Sequence, residues 1–289
     1  MKILLTGSTG QVGYELARSL QGLGEIVAPG RAQMDLSNLD QLRDVIRAVK
    51  PGLIVNPAAY TAVDQAEREP ELAMLINARA PELMAEEARK LGAAMIHYST
   101  DYVFDGEKTS PYTEDDPTGP INVYGRSKLA GEQAIQAAGI DHLILRTSWV
   151  YGMRGKNFLL TVLRLAQERP ELRIVGDQHG APTWCRTIAD TTAHILARAL
   201  ADSDPHSWWS RHGGVYHLSA GGSTSWAGFT QQILQNAQLP AMPRVTAITT
   251  AEYPLPAKRP SSSILSCERL TQAFCGLPAW QDALKLCMT

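Results

Sequence analysis

Near its N-terminus the chain reads Lys2-Ile3-Leu4-Leu5-Thr6-Gly7-Ser8-Thr9-Gly10-Gln11-Val12-Gly13. The apolar run over residues 2–6 has the length of a buried strand. A glycine-rich turn follows, and apolar residues then recur at helical spacing from Tyr14 to Leu20. Strand, glycine turn and helix in this order predict a dinucleotide-binding loop, because glycines let the backbone approach a pyrophosphate and the N–H groups at the helix start bind the anion.

The glycine spacing of this loop is Gly-x-x-Gly-x-x-Gly, whereas the common fingerprint is Gly-x-Gly-x-x-Gly. A tight strand-to-helix turn without a ligand is therefore the alternative. If the loop does hold a dinucleotide, the residues that we expect to contact it are Gly7, Thr9, Gly10, Gln11, Val12 and Gly13.

Strands and helices alternate through the first half of the chain. The further predicted strands are Glu25–Ala28, Leu53–Asn56, Ala94–Ser99 and Leu143–Arg146. The predicted helices between them run from a Ser37 cap to Val49, from about Pro70 to Leu91, and around Tyr124 and Lys128. This alternation predicts an α/β fold with a Rossmann-like, doubly wound parallel sheet.

Ligands of such sheets bind beyond the carboxyl ends of the strands. The segments that we expect there, besides the glycine loop, are Ala58-Ala59-Tyr60, Ser99-Thr100-Asp101 and Thr147-Ser148-Trp149. We assign Ala58, Ala59 and Tyr60 to the cofactor.

Tyr124 and Lys128 stand four residues apart, so on a helix their side chains share one face. An ammonium beside a phenol favours the phenolate, which predicts a lowered pKa for Tyr124. Such a tyrosine can exchange a proton near neutral pH. The Tyr-x-x-x-Lys pattern also occurs by chance in helices, so its meaning depends on the dinucleotide loop.

Composition agrees with a soluble enzyme whose charge is near neutral. The chain has 289 residues, a formal net charge of −2 and 44% hydrophobic residues, without an apolar stretch of membrane-spanning length. It has no basic block, which argues against nucleic acid as a partner. Four cysteines lack metal-ligand spacing and predict reduced thiols in a cytoplasmic protein.

The pattern divides the chain into a nucleotide-cofactor domain, residues 1–150, and a substrate-binding α/β region, residues 151–289, of which some segments return to the first domain. In the second region we predict a helix opening at Lys156-Asn157-Phe158, a binding-type loop over 176–183 and a helix from Arg186 to Leu200. A polar insertion over 202–214 and a strand over 215–218 follow.

The end of the second strand bears on the choice of cofactor. An acidic residue there binds the ribose hydroxyls of NAD, whereas an arginine pairs with the extra phosphate of NADP. Arg31 follows Gly30, so we predict NADP(H), with NAD(H) as the alternative and a solvated surface arginine as the other interpretation. Asp35 and Leu36 are expected near the adenine.

Several segments together resemble the extended short-chain dehydrogenase/reductases, which act on nucleotide sugars. They are residues 7–13, 56–64, 97–104, 124–128, 146–151 and 180–183, the last reading Gly180-Ala181-Pro182-Thr183. This superfamily uses the Gly-x-x-Gly-x-x-Gly spacing. The closest resemblance is to members that reduce the C4 keto group of dTDP-4-dehydro-L-rhamnose with NAD(P)H, the last step of dTDP-L-rhamnose synthesis for lipopolysaccharide O-antigen.

The resemblance implies a catalytic role for three residues. Thr100 would hydrogen-bond the sugar oxygen, Tyr124 would donate the proton to that oxygen, and Lys128 would bind the nicotinamide ribose and lower the pKa of Tyr124. For Thr100, a turn or cap is the structural alternative.

Position 102 distinguishes reduction from dehydration. Related nucleotide-sugar dehydratases have Asp then Glu after the threonine, and the glutamate acts as base. Here the pair is Asp101-Tyr102, which favours reduction. We place both residues at the substrate, where Asp101 binds a sugar hydroxyl or caps the turn.

The resemblance also implies that Trp149 lines the sugar or base pocket and that Asn157 and Arg259 reach the diphosphate, with Asn77 near the nicotinamide. A core position for Trp149 and a structural hydrogen bond for Asn77 are the alternatives. Some relatives dimerise through magnesium, for which Glu15 and Asp190 are candidates, but Arg186 brings a positive charge there. We therefore predict no metal and leave a homodimer possible. A non-catalytic regulatory subunit and an epimerase are the alternative functions.

Overall fold

The structure is a computed structural model that describes the backbone of residues 1–289 and all side chains except those of Pro205 and His206. Six strands of the described chain form one parallel sheet in the order β10-β5-β4-β3-β1-β2. Their bounds are β1 Lys2–Leu5, β2 Glu25–Val27, β3 Leu53–Asn56, β4 Ala94–Thr100, β5 His142–Thr147 and β10 Gly214–His217. The predicted parallel sheet is confirmed.

Helices cover both faces of this sheet. Their bounds are α1 Gln11–Ser19, α2 Leu39–Val49, α3 Val63–Ala66, α4 Pro70–Met74, α5 Ala80–Leu91, α6 Val123–Ala137, α7 Phe158–Glu168, α8 Cys185–Ala201, α9 Pro205–His212, α10 Trp226–Asn236, α11 Glu268–Ala273 and α12 Trp280–Met288. Successive strand residues point to opposite faces. Ile3 and Leu5 of β1 therefore pack in the core with α1 and α8, while Leu4 packs in the core with α2, α5 and α6.

The second half of the chain forms a smaller core of its own. It lies among α7, α10, α12 and the parallel pair of β7 Glu171–Val175 with β12 Arg244–Ile248. The remaining short strands are β6 Val150–Tyr151, β8 His179–Gly180, β9 Thr183–Trp184 and β11 Thr224–Ser225. Strand β10 belongs to the large sheet, so residues 214–217 pack with the first half.

Three local predictions needed correction. Helix α2 is capped by Asn38, whose side chain accepts from Gln41 N, and not by Ser37, whose hydroxyl donates to Asp35. The predicted helix over 70–91 contains one π-helical turn, Leu75–Arg79. The insertion over 202–214 includes helix α9. Within the described residues, no helix has the length and apolarity needed to cross a membrane.

Candidate active site

The three predicted catalytic residues meet at the carboxyl end of β4. Thr100 is the last residue of β4, and Tyr124 and Lys128 lie one turn apart on α6. The Tyr124 phenol lies close enough to the Thr100 hydroxyl for Thr100 to lower the pKa of Tyr124. Asn122 caps α6 by accepting a 2.8 Å hydrogen bond from Gly125 N. The cap fixes Tyr124 in the first turn of the helix.

Gly125 lets α6 approach the turn that follows β4. A Cβ atom at position 125 would lie 2.1 Å from the carbonyl oxygen of Tyr102, so a larger residue would displace the helix. The close approach brings the Tyr102 ring edge-on to Tyr124, with 5.9 Å between ring centroids and 75° between planes. Tyr102 therefore packs beside Tyr124, the predicted proton donor.

The expectation that Lys128 lowers the pKa of Tyr124 is wrong for this structure. Burial raises the pKa of Tyr124 to about 12, the nearby Thr100 hydroxyl lowers it, and the Asp101 charge raises it. The side-chain nitrogen of Lys128 contacts the Tyr98 carbonyl oxygen and His97 instead. The phenol is therefore protonated at neutral pH, which is the form that a proton donor needs.

Lys128 is 1% exposed. Its Nζ donates a 2.6 Å hydrogen bond to the Tyr98 carbonyl oxygen and lies 3.1 Å from His97 Nε2. Burial lowers the pKa of Lys128 to about 8, and Glu132 raises it. The charge of this lysine therefore changes close to neutral pH.

The side chains of Thr100 and Asp101 contact each other at the turn that follows β4. Thr100 Oγ1 accepts a hydrogen bond from Tyr102 N at 3.2 Å, so the turn is capped by Thr100. Thr100 Oγ1 also contacts Asp101 Oδ1 at 3.0 Å, whereas Asp101 Oδ2 has no partner among the described residues. Burial raises the pKa of Asp101 to about 7, and the nearby hydroxyls of Ser263 and Thr100 lower it.

Arg259, the predicted diphosphate contact, lies near Tyr102 and pairs with Asp64. Its Nη2 donates to Asp64 Oδ2 at 2.7 Å and its Nη1 donates to the Ala257 carbonyl oxygen at 3.2 Å. Burial raises the pKa of Tyr102, and the Arg259 charge lowers it. A guanidinium near Tyr102 supplies the positive charge that an anionic substrate would need.

The glycine loop forms a narrow cradle at the start of α1. Gly7 has a φ of +54°, and a Cβ atom at Gly13 would lie 2.1 Å from the Gly7 carbonyl oxygen. The N-cap is Gly10, which has no side chain to occupy the first-turn N–H groups. The loop thus presents bare backbone at the helix N-terminus, as an anion site requires.

A cleft of about 600 Å³ opens beside this loop. Its lining includes eight of the predicted cofactor residues, namely Gly7, Thr9, Arg31, Asp35, Leu36, Ala58, Ala59 and Tyr60. Residues 10–13, Tyr124 and Lys128 are outside that lining. Arg31 is 82% exposed and its Nε pairs with Asp35 Oδ2 at 3.3 Å.

Asn77 connects the cleft to α6. Its Nδ2 donates to the Tyr60 carbonyl oxygen at 3.0 Å and to Ser127 Oγ at 2.9 Å, and its Oδ1 accepts from Tyr60 N at 2.8 Å. Asn77 lies in the π-helical turn, a feature often found at functional sites. These structural hydrogen bonds hold the Tyr60 loop against α6.

Trp149 and Asn157 lie farther along the chain. The Trp149 indole stacks on Trp226, with 3.5 Å between centroids and 4° between planes. Asn157 caps α7 through Leu160 N at 3.0 Å and donates to Gln11 Oε1 at 2.9 Å. Asn157 therefore links the start of α7 to Gln11 at the glycine loop.

Asp190 of the suggested metal pair has protein partners. Its Oδ1 accepts from Ser19 Oγ at 2.5 Å, and Arg186 Nε lies 3.5 Å from its Oδ2. Among the described residues, no group of three or more His, Cys, Asp or Glu is arranged to hold a metal. The role of Glu15 and the absence of a metal stay predictions.

Sequence reasoning missed a set of buried polar residues beneath the site. His97 and Asn56 interrupt apolar strands, and both are fully buried, as is Thr6. A polar residue inside an apolar strand was the available signal, since buried polar groups need hydrogen-bond partners. Only the paired strands reveal which partners they have.

A family model described as RmlD substrate binding domain matches residues 1–289. A dTDP-4-dehydrorhamnose reductase from Burkholderia thailandensis is 49% identical over 295 residues, covering 100% of this chain and 98% of that protein. A crystal structure of a dTDP-4-dehydrorhamnose reductase from Clostridium acetobutylicum matches with a TM-score of 0.91 at 34% identity, covering 100% of this chain and 98% of the other.

A dTDP-4-dehydrorhamnose reductase from Bacillus anthracis, solved in complex with NADP, matches with a TM-score of 0.89 at 34% identity, covering 99% of this chain and 98% of the other. These matches extend over the whole chain, and they agree with the parallel sheet described above. The chain belongs to the RmlD substrate binding domain family.

Proposed function

We propose that this protein reduces the C4 keto group of dTDP-4-dehydro-L-rhamnose to give dTDP-L-rhamnose, using NADPH. The observation that carries the proposal is the meeting of Thr100, a protonated Tyr124 and a buried Lys128 at the carboxyl end of β4. Relatives across the whole chain are named dTDP-4-dehydrorhamnose reductases. Reduction needs a proton donor at the carbonyl oxygen, and Tyr124 is in that form.

The cradle at the start of α1 fits a dinucleotide. Gly7 and Gly13 leave the backbone bare at the point where a Cβ atom would collide, and α1 offers its first N–H groups to a pyrophosphate. Arg31 lies at the cleft mouth, where its guanidinium suits the extra phosphate of NADP. When bound, the nicotinamide supplies a hydride to C4 of the sugar.

The chain's own residues supply the proton and the positioning. Tyr124 donates the phenolic proton to the C4 oxygen, and Thr100 orients that oxygen through its hydroxyl. Lys128 holds the nicotinamide ribose and, with a pKa of about 8, changes charge in the working pH range. Asp101 Oδ2 is the polar atom left for a sugar hydroxyl.

The nucleotide end of the substrate is assigned to the second half of the chain. Arg259 is the proposed diphosphate contact, because two of its N–H groups are engaged by Asp64 and Ala257 and the rest are available to an anion. Trp149 is the proposed wall of the sugar or base pocket. Asn157, which binds Gln11 at the glycine loop, is the second proposed diphosphate contact. A homodimer and a cytoplasmic location, with free thiols at Cys185, Cys267, Cys275 and Cys287, complete the proposal.

The decisive experiment mixes the purified protein with NADPH and dTDP-4-dehydro-L-rhamnose and follows the absorbance of the reduced nicotinamide. Tyr124→Phe should lower kcat by about 100-fold or more while NADPH affinity, measured by fluorescence, stays the same. Tyr253→Phe, at an exposed tyrosine, is the matched control and should be unchanged.

Two outcomes would favour the alternatives. NADPH binding without oxidation, with Tyr124→Phe equal to the unmodified protein, would indicate a non-catalytic regulatory subunit. Conversion of a nucleotide sugar to its epimer with tightly held NAD and no added reductant would indicate an epimerase.

A further inference from the structure

A chain of hydrogen bonds runs from Lys128 through the middle of the large sheet. Lys128 Nζ lies 3.1 Å from His97 Nε2, and His97 Nδ1 lies 3.0 Å from Asn56 Nδ2. Thr6 Oγ1 donates to Asn56 Oδ1 at 2.6 Å and accepts from Ala58 N at 3.2 Å. His97 belongs to β4, Asn56 belongs to β3 and Thr6 follows β1. This row of hydrogen bonds therefore crosses neighbouring strands of the sheet, from α6 to the cofactor cleft.

The side chains that form this row of hydrogen bonds are buried from solvent. Thr6, Asn56 and His97 are 0% exposed and Lys128 is 1% exposed. In such surroundings water does not replace a missing partner, so the direction in which each hydrogen bond is donated has an energetic consequence.

The direction of donation is set at the Thr6 end. With the Thr6 hydroxyl donating to Asn56 Oδ1, the amide nitrogen of Asn56 donates to His97 Nδ1. The neutral imidazole then carries its hydrogen on Nε2 and donates it to Lys128. Only an uncharged amine has the lone pair to accept that hydrogen bond.

A charged Lys128 requires the opposite direction. The ammonium donates to His97 Nε2, the hydrogen of the ring moves to Nδ1, and the Asn56 amide rotates by a half turn to accept it. The amide nitrogen then faces Thr6 Oγ1, and the Thr6 hydroxyl hydrogen loses its acceptor. The change takes up one proton: Nε2 gives its hydrogen to Nζ while Nδ1 gains one from solvent.

The other ionisable groups around Lys128 do not account for a preference for its uncharged form. From α6, Glu132 favours the charged lysine, but Arg146 of β5 pairs with that carboxylate at 2.7 Å. Tyr124 of α6 is protonated at neutral pH. From the β4 strand and its following turn, Tyr98 directs its hydroxyl to Thr192 at 2.7 Å, and Asp101 contacts Thr100.

We propose that Thr6, Asn56 and His97 are positioning residues for Lys128, and that their chain of hydrogen bonds favours the uncharged form of its amine. The geometry of these hydrogen bonds does not depend on which reaction the protein catalyses. Only the kinetic measurement below depends on the function proposed above, so its failure and the failure of this inference can be told apart.

The first test measures the charge of Lys128 directly. Lysine labelled with ¹³C at Cε reports each titration by NMR in the full-length protein, and Lys128 is identified by its loss in Lys128→Met. Thr6→Val removes the hydroxyl that sets the direction, so the midpoint of the Lys128 titration should rise by about half to one pH unit. The alkaline limb of the kcat profile should move by the same amount.

Thr192→Val is the matched control. Thr192 is also 0% exposed and its hydroxyl binds Tyr98, yet it is not in the chain to Lys128. The control should leave the Lys128 titration where it is. An unchanged or lowered midpoint in Thr6→Val, or an equal rise in Thr192→Val, overturns the proposal.

The second test observes the unmodified protein, and a variant serves only to assign the resonances. The ring ¹⁵N resonances of His97, identified by their loss in His97→Gln, show which nitrogen carries the hydrogen. The hydrogen should lie on Nδ1 below the Lys128 titration and on Nε2 above it. A His97 ring that keeps one tautomer through the titration overturns the proposal.

Discussion

Arg259 Nη2 lies 2.7 Å from Asp64 Oδ2, so an ion pair joins the C-terminal region to the start of α3. The Arg259 side chain is 13% exposed and that of Asp64 is 38% exposed. The carboxylate holds the planar guanidinium in one orientation. Because arginine has five N–H donors, the remaining ones stay available to a phosphate oxygen.

Arg259→Ala should therefore raise KM for the nucleotide sugar by about tenfold or more, since a charge-assisted hydrogen bond to phosphate is lost. The KM for NADPH should stay the same. Lys258→Ala changes the exposed neighbouring cation and should have little effect on either constant. Equal weakening of both ligands by Arg259→Ala would show that the arginine acts on the fold and not on the substrate.

Arg31 should select the phosphate of NADPH. Its guanidinium is exposed at the cleft mouth and held near Asp35. Arg31→Ala should raise KM for NADPH by about tenfold and KM for NADH much less, because only NADPH has the extra phosphate. Arg43→Ala, which removes a similar surface pair with Asp40, is the control. The same increase for both cofactors would contradict the assignment.

The pattern of the first half was sufficient to predict the parallel sheet. Apolar runs such as Leu53–Asn56 are short, fully buried and separated by helices, so their positions follow from local sequence. The π-helical turn at Leu75–Arg79 was not predictable in this way. It depends on contact with α6, where a Cβ atom at Gly131 would lie 2.2 Å from the Asn77 carbonyl oxygen.

The position of helix α6 was predictable from the sequence, but the pKa of Tyr124 was not. Spacing places Tyr124 and Lys128 on one face, yet a long side chain can choose among several partners. Lys128 extends to the Tyr98 carbonyl oxygen and His97, which only strand pairing brings beneath α6. Burial then dominates the pKa of the phenol, and burial is a property of the whole fold.

Asp101 should make the stability of the protein depend on pH. Its folded pKa of about 7 lies above the unfolded value of 3.8, so between these values the folded protein holds a proton that the unfolded chain has released. The free energy of unfolding therefore falls as pH rises through this range. Asp101→Asn stays uncharged and should be more stable relative to the unmodified protein at pH 8 than at pH 5, by on the order of a few kcal/mol.

Urea unfolding at the two pH values measures this difference. Asp105→Asn is the contrasting variant, because a hydrogen bond from Tyr112 lowers the pKa of Asp105. That carboxyl is ionised in both states at pH 5 and at pH 8, so the effect of Asp105→Asn should be the same at both. A pH-independent effect of Asp101→Asn would contradict a carboxyl that titrates near neutrality.

Trp226 should hold Trp149 in a conformation that tryptophan rarely adopts. Trp149 has a φ of +46°, and its indole lies between Trp226 and Gly180, where a Cβ atom would come within 2.6 Å of the ring. Trp226→Leu should lower the free energy of unfolding by about 1–2 kcal/mol through loss of the aromatic pair. It should also raise KM for the nucleotide sugar, because Trp149 is then free to leave the pocket wall, while KM for NADPH stays the same.

Trp209→Leu, which breaks the edge-on pair with Trp208, is the control and should lower the free energy of unfolding without changing either KM. If Trp226→Leu lowered stability but left KM for the nucleotide sugar unchanged, the assignment of Trp149 to the substrate pocket would be contradicted.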